Sequence, residues 1–266
     1  MHTASSSPPK PRGAAVPAVT RAIAVLDLLA GAREAMSLSQ LASRLECPKS
    51  TMHGLCGTLM SHGYLKREGD GSFFIGPGVM GLAHAFIART TVAQAFTSLW
   101  QELDAPPDET IMLSVLDGSD VVYIASRPGE QPFALSLSVG MRFPAHLAAS
   151  GQAMLAWHDE AFVRSLYAQP RLQRLRGSGP ATLKALLAEL AAVRERGWSV
   201  DDESLREGVC SFGAAVFDAA AKPVAGIGVC THKATLHARN EARHCRMVVD
   251  VARRLTRRLG GVERQR

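Results

Sequence analysis

The chain lacks a run that could cross a membrane. Its longest apolar stretch, Phe212 to Cys230, is broken by Asp218, Lys222 and Pro223, so no span is expected. Aromatic residues are scarce at 6%, which leaves too few rings for a stacking platform on single-stranded nucleic acid. The start, Met1–Pro17, is rich in Ser, Pro and Ala and has no apolar core, so it does not read as a secretory signal. Cysteines number five (Cys47, Cys56, Cys210, Cys230 and Cys245). An odd count without a CxxC pair argues for reduced thiols in a cytoplasmic protein rather than a disulfide frame. Neither a GxSxG elbow, a GxxxxGK loop nor an HExxH helix occurs. Gly226-Ile227-Gly228 lacks the third glycine of a dinucleotide fingerprint. No enzyme activity, cofactor or metal is therefore expected. A thiol nucleophile at Cys210 has no partner spacing to support it. Cys230, His232, His237, His244 and Cys245 are not spaced like a zinc site, and a basic surface face explains the histidines as well.

What is present is enough apolar sequence, 47% of 266 residues, to build a sizeable core. The net charge of +6 is uneven. Residues 1–80 hold eight Lys/Arg against five Asp/Glu, and residues 81–266 hold 22 against 19. Both halves carry +3, but the front concentrates it in under a third of the length, which suits a polyanionic partner.

Periodicity divides the chain. Residues 1–17 read as a disordered tail. Ile23, Leu26 and Leu29 outline a first helix that ends before Gly31. Ser37-Leu38-Ser39-Gln40 fits a capping box that opens a second helix, with Leu38, Leu41 and Leu45 facing inward. Pro48 suits the first position of a third helix, in which Met52, Leu55, Cys56 and Leu59 form the apolar stripe. Tyr64–Arg67 and Ser72–Ile75 flank an Asp-Gly turn and read as a hairpin. Three helices and a hairpin over residues 18–80 make a winged helix-turn-helix. A linker helix is expected over 81–103. Residues 104–260 alternate hairpins with helices: strands at 110–116, 121–126, 133–139, 211–217 and 224–231, helices at 150–158, 161–167, 183–196 and 241–259. The expected class is α+β, with a mainly antiparallel sheet flanked by helices, and 261–266 is a short tail.

Four strings in the front region resemble the IclR family of bacterial transcription regulators: Thr20–Leu29, Leu38-Ser39-Gln40-Leu41-Ala42, Pro48-Lys49-Ser50-Thr51 and Gly63-Tyr64-Leu65. The resemblance continues through Val115-Leu116-Asp117-Gly118, Val121-Val122-Tyr123-Ile124, Pro144-Ala145-His146 and the run from Gly197 to Asp218. It covers about residues 18 to 260. It implies a winged helix-turn-helix joined by a helix to a GAF-like effector-binding domain, operator DNA as partner, and a homodimer or homotetramer.

The chemistry of the third helix agrees. Lys49 can neutralise a phosphate, while Ser50, Thr51 and His53 can bond phosphates or base edges. Arg21, Ser39, Lys66 and Arg67 are further candidate DNA contacts, with a solvated surface side chain as the plain alternative. Gly54 stands where the family usually has Arg, and Gly57 follows. This removes a guanidinium that could read guanine and leaves open a second reading, a small-molecule sensor or interaction module with weakened DNA binding.

Two segments are candidates for an effector pocket. One runs from Gly140 to Ala153 and offers Met141, Phe143, His146, Ala149, Ser150 and Gly151; free N–H groups at the helix start would favour a carboxylate. Met141 and Phe143 are pocket walls or ordinary core, and His146 is an anion donor or a satisfied core histidine. The other segment, 201–211, leads into a strand and offers Asp201, Ser211 and Ala214. Asp201, Asp202 and Glu203 equally suit a solvated turn. The resemblance adds Gly228 and Cys230 on the next strand and implies a small organic or sugar acid as effector. Ser211 replaces the family's usual Cys, Ser204 a usual acid and Ala215 a usual Pro. Gly228 and Cys230 replace hydroxyl residues. Fewer hydroxyls and more sulfur point to an aromatic or hydrophobic acid.

Overall fold

A computed structural model describes residues 16–32, 34–89, 91–101, 109–129, 137–169 and 171–262. The tails assigned to 1–17 and 261–266 lie outside these residues except for 16–17 and 261–262. The chain forms two compact units, Met1–Phe86 and Ile87–Arg266.

The first unit contains α1 (Pro17–Ala30), α2 (Leu38–Arg44), α3 (Lys49–Ser61), β1 (Leu65–Arg67) and β2 (Phe73–Ile75), and α4 (Gly78–Arg89) begins in it. Proline at its start opens α1. The buried stripe of α1 is Val25 and Leu29, whereas Ile23 is 51% exposed. Ile23 lies off the face shared by residues four apart, which corrects the expected stripe. The capping box forms: the Ser37 hydroxyl accepts from the Gln40 N–H at 3.3 Å, and the Gln40 side-chain Oε1 accepts from the Ser37 N–H at 2.8 Å. Pro48 is the N-cap of α3, one position earlier than expected. Met52 and Cys56 of α3 join Val25, Leu41, Leu65 and Phe73 in one small core. β1 and β2 pair antiparallel, and Met36 bridges to Phe73 as a third short rung. The hairpin turn is fastened by Asp70, whose carboxylate accepts from the Ser72 N–H at 2.8 Å.

The second unit holds α5 (Thr91–Gln101), β3 (Thr110–Asp117), β4 (Asp120–Arg127), β5 (Arg142–Pro144), α6 (Ala149–Leu155), α7 (Glu160–Leu166), α8 (Leu183–Arg196), β6 (Ser199–Asp202), β7 (Val209–Phe217), β8 (Pro223–His232) and α9 (Ala238–Arg258). The helix expected over 81–103 is found as α4 and α5 on either side of Thr90, which is not among the described residues. The strand expected at 133–139 lies outside them as far as 136, and 137–139 are not in a strand.

Six strands form one antiparallel sheet in the order β5-β4-β3-β8-β7-β6. Successive side chains on a strand point to opposite faces. Ile111, Leu113, Phe212, Ala214, Ile227 and Val229 therefore face α5 and α9. Met112, Tyr123 and Cys230 face the other way, toward the cluster built by α6, α7 and α8. α6 presses directly on that second face. A side chain on Gly213 would collide with the backbone of Ala149, and one on Gly226 with that of Ser150. Ser114 and Ser150 seal the contact with a 2.8 Å hydroxyl–hydroxyl bond, and Ser199 donates to the Ala149 carbonyl at 2.5 Å.

Candidate functional site

The first unit presents the outer face of α3. Lys49, Ser50 and His53 are exposed and Thr51 is half-buried. The centre of that face is bare: Gly54 and Gly57 have open space where a side chain would stand. The Thr58 hydroxyl turns back to donate to the Gly54 carbonyl at 2.9 Å. Among the described residues nothing therefore requires glycine at 54 or 57. Arg21, Ser39 and Lys66 are exposed. Arg67 is tied to the hairpin: its Nε donates to the Gly71 carbonyl at 3.0 Å and its guanidinium lies 5.5 Å from the Phe73 ring centre.

In the second unit strand register lines up several of the candidate effector residues on the sheet face that α6 covers. Met112 pairs with Gly228, Gly228 with Gly213, Cys230 with Ser211, and Ser211 with Asp201. A Cβ on Gly228 would stand 4.0 Å from the Ser150 Cβ, in ordinary contact with α6. The Ser211 hydroxyl reaches the Cys230 sulfur at 3.4 Å. Tyr123 stands on the same face and packs at 5.5 Å on the Phe143 ring. Met141 and Phe143 are partly buried against this cluster.

Burial dominates the electrostatics. Asp201 is 2% exposed, in a short strand rather than the solvated turn that its acidic neighbours suggested. Desolvation pushes its carboxyl up to about 6, although the Ser204 N–H donates to it at 2.7 Å and opposes the rise. Burial also lifts the Cys230 thiol to about 12 and the Tyr123 phenol well above its ordinary range, so both keep their protons.

The remaining candidates separate by geometry. His146 is buried, and its Nε2 meets the Gln173 carbonyl at 2.8 Å. A nitrogen facing a carbonyl is the protonated one, so Nδ1 carries a lone pair and cannot donate to an anion. Burial lowers its pKa further. Ser150 is spent on Ser114, and Ala149 and Gly151 pack against strand and loop backbone. Ala214 points into the cluster under α5 and α9, the face opposite Ser211. The two-residue period of the strand turns it away from Ser211. Tyr123 lies within a string that carries the family resemblance, but only strand pairing sets it beside Ser114, on the sheet face that carries Met112 and Cys230.

Comparison with known proteins follows this architecture. Residues 18–69 match the model of the IclR helix-turn-helix domain, and residues 84–257 that of the bacterial transcriptional regulator IclR C-terminal domain. A probable transcriptional regulator, SauR of Cupriavidus necator, is 30% identical over 213 residues, 80% of this chain and 84% of that one. The Pca regulon regulatory protein of Pseudomonas putida is 27% identical over 80% of this chain and 74% of its own. The Agrobacterium tumefaciens repressor BlcR has a solved structure that covers 93% of this chain and 99% of its own, at TM-score 0.59 and 33% identity. An IclR homolog from Microbacterium hydrocarbonoxydans, solved with 4-hydroxybenzoate, shares the fold at TM-score 0.73 and 19% identity, over 91% of this chain and 99% of that one. With a winged helix-turn-helix at one end, an effector-binding α+β unit at the other and both family models matched in that order, the chain belongs to the IclR family of DNA-binding transcription regulators.

Proposed function

We propose that this protein is a cytoplasmic regulator whose hold on operator DNA responds to a small organic acid, aromatic or hydrophobic in character. Lys49, Ser50, Thr51 and His53 contact the operator from α3, helped by Arg21 and Ser39 and by Lys66 and Arg67 of the wing. Phosphate neutralisation supplies most of the affinity, so binding falls steeply with salt. The observation that carries this reading is the exposed polar start of α3 in a family of regulators. The effector is held from the sheet face that carries Met112, Ser211, Gly228 and Cys230, with Asp201 on the neighbouring strand. It alters DNA affinity only as far as it binds the competent and incompetent arrangements unequally.

A homodimer or homotetramer is part of the reading. Val16, Val19 and Ile23 on and before α1, and Met80, Leu82 and Phe86 on α4, are large apolar side chains more than half exposed (for a helix surface an unusual concentration). Pairing of subunits would cover such surface and match the two half-sites of an operator.

The test is fluorescence anisotropy with the duplex upstream of the protein's own gene, across a salt series, with a scrambled duplex as control. Sequence-dependent binding that Lys49→Ala with Thr51→Ala abolishes, and that organic acids modulate, is the expected result. No preference for that duplex, followed by a random-library selection that enriches nothing, refutes DNA reading. It would favour the second reading that the bare face at Gly54 and Gly57 supports, a ligand sensor with weakened DNA binding.

A further inference from the structure

The positive charge of the second unit is concentrated on α9. Its 21 residues hold seven arginines, no lysine and two acids, so this helix alone has a net charge of +5 against +6 for the whole chain. The rest of residues 81–266 holds 15 Lys/Arg against 17 Asp/Glu. Apart from α9, the second unit is weakly acidic.

The arginines share one side. Val248, Val251, Ala252 and Leu255 are buried against the sheet. Arg239, Arg243, Arg246, Asp250, Arg254 and Arg257 recur at spacings of three and four, which puts them on the opposite face, and all six are exposed. At 1.5 Å per residue the row is about 27 Å long, the length of about eight base pairs of duplex. Asp250 meets Arg253 at 3.5 Å, and Arg243 pairs with Glu109 while its side chain stays 51% exposed. Among the described residues Arg239, Arg246, Arg254 and Arg257 make no ion pair.

A surface that serves only solubility intersperses both signs. Here like charges stand four residues apart at Arg239 and Arg243, at Arg253 and Arg257, and at Arg254 and Arg258, which weakens a helix. Arg239 also sits in the first turn, where the macrodipole disfavours a cation. A polyanion laid along the row would relieve these repulsions. Arginine at every basic position suits phosphate, which its planar fork binds through two N–H bonds.

We propose that the outer face of α9 is a second DNA-binding surface, separate from α3 and the wing, which grips phosphates and adds affinity without sequence preference. The inference rests on the DNA-binding reading above and extends it to the second unit. Duplex DNA is the polyanion that membership of this family supplies, and its regularly spaced phosphates suit a linear row of guanidinium groups.

The test combines Arg246→Gln, Arg254→Gln and Arg257→Gln in one full-length variant. Anisotropy titrations over a salt series use the duplex upstream of the protein's own gene and its scrambled control. The variant should bind both at least tenfold more weakly at about 0.1 M salt, with the ratio of the two affinities unchanged. The slope of log affinity against log salt should fall by about 2–3, one phosphate per arginine. Arg246→Lys, Arg254→Lys and Arg257→Lys together keep the charge and should keep most of the slope. Arg171→Gln, Lys184→Gln and Lys222→Gln together remove three exposed cations elsewhere on the second unit, and should change the slope by less than about one. Glutamine is a good former of exposed helix, so the thermal midpoint and the sedimentation coefficient without DNA should hold. An unchanged slope overturns the proposal and leaves α3 and the wing as the DNA contacts. An equal fall for the control triple overturns it too, because net charge rather than contact would then be at work. So does a smaller sedimentation coefficient for the variant, which would make the face a contact between subunits. Native protein that binds neither duplex refutes the DNA-binding reading itself, and this surface with it.

Discussion

Asp201→Asn should stabilise the protein at neutral pH and do nothing at pH 4. Asp201 sits on a buried strand with no cation bonded to it among the described residues. Burial raises its carboxyl from 3.8 to about 6, and the neighbouring Asp202 adds to the rise. Facing it are the neutral Tyr123 phenol and Cys230 thiol, with the Ser204 and Leu205 amides and the Ser204 hydroxyl on the loop side. Between pH 4 and 6 the native state keeps a proton that the unfolded chain has released. Stability therefore falls as pH rises through that window, and the deficit is complete above it. The displacement corresponds to ~3 kcal/mol. An asparagine oxygen can still accept the Ser204 N–H, so most of the bonding survives, and the expected gain at pH 7 is about 1–3 kcal/mol. Urea unfolding followed by tryptophan fluorescence at several pH values between 4 and 8 measures it. All three tryptophans, Trp100, Trp157 and Trp198, lie in the second unit and report on it alone. Other titrating groups cancel in the difference between variant and native protein. A gain that does not vary with pH, or a loss at pH 7, would refute the assignment of a strained carboxylate. A confirmed gain would mean that the native sequence tolerates a destabilising acid at this buried strand, as functional sites often do.

Three further outcomes are expected from the first unit. Gly54→Ala and Gly57→Ala each should raise helix stability by about 1 kcal/mol, because alanine is the better helix former and each added methyl enters open space; circular dichroism melts check this, and a loss would show that the face is packed. Ser37→Ala should cost about 1 kcal/mol by removing the cap of α2, read by the same melts. Lys49→Ala should lower the slope of log affinity against log salt by about one if Lys49 neutralises one phosphate, and an unchanged slope would remove it from the interface.

Much of this architecture was legible along the chain, because it rests on short-range rules. Ser37 and Gln40 are three residues apart, and their capping box needs only that spacing. The helix at Leu183–Arg196 has its apolar residues at helical period and a glycine at its end, and it forms over those residues. Turn chemistry at Asp117–Asp120 and Asp218–Lys222 marked both long hairpins of the sheet. β6 escaped notice because Ser-Val-Asp-Asp is short and polar, and it becomes a strand only by pairing with β7. Ile23 was placed inward because a six-residue spacing was counted as a stripe, whereas the face that packs is set by the neighbouring helices.

Local periodicity, caps and turns encode a basic winged helix-turn-helix followed by an α+β unit, and the family resemblance adds that this unit binds an effector. Pairing and packing between distant segments decided which of the candidate residues share a face. Register across four strands set Asp201, Ser211, Cys230 and Gly228 in one row system and turned Ala214 to the opposite face. Burial, which no local pattern announces, turned Asp201 from an apparent surface acid into a strained one.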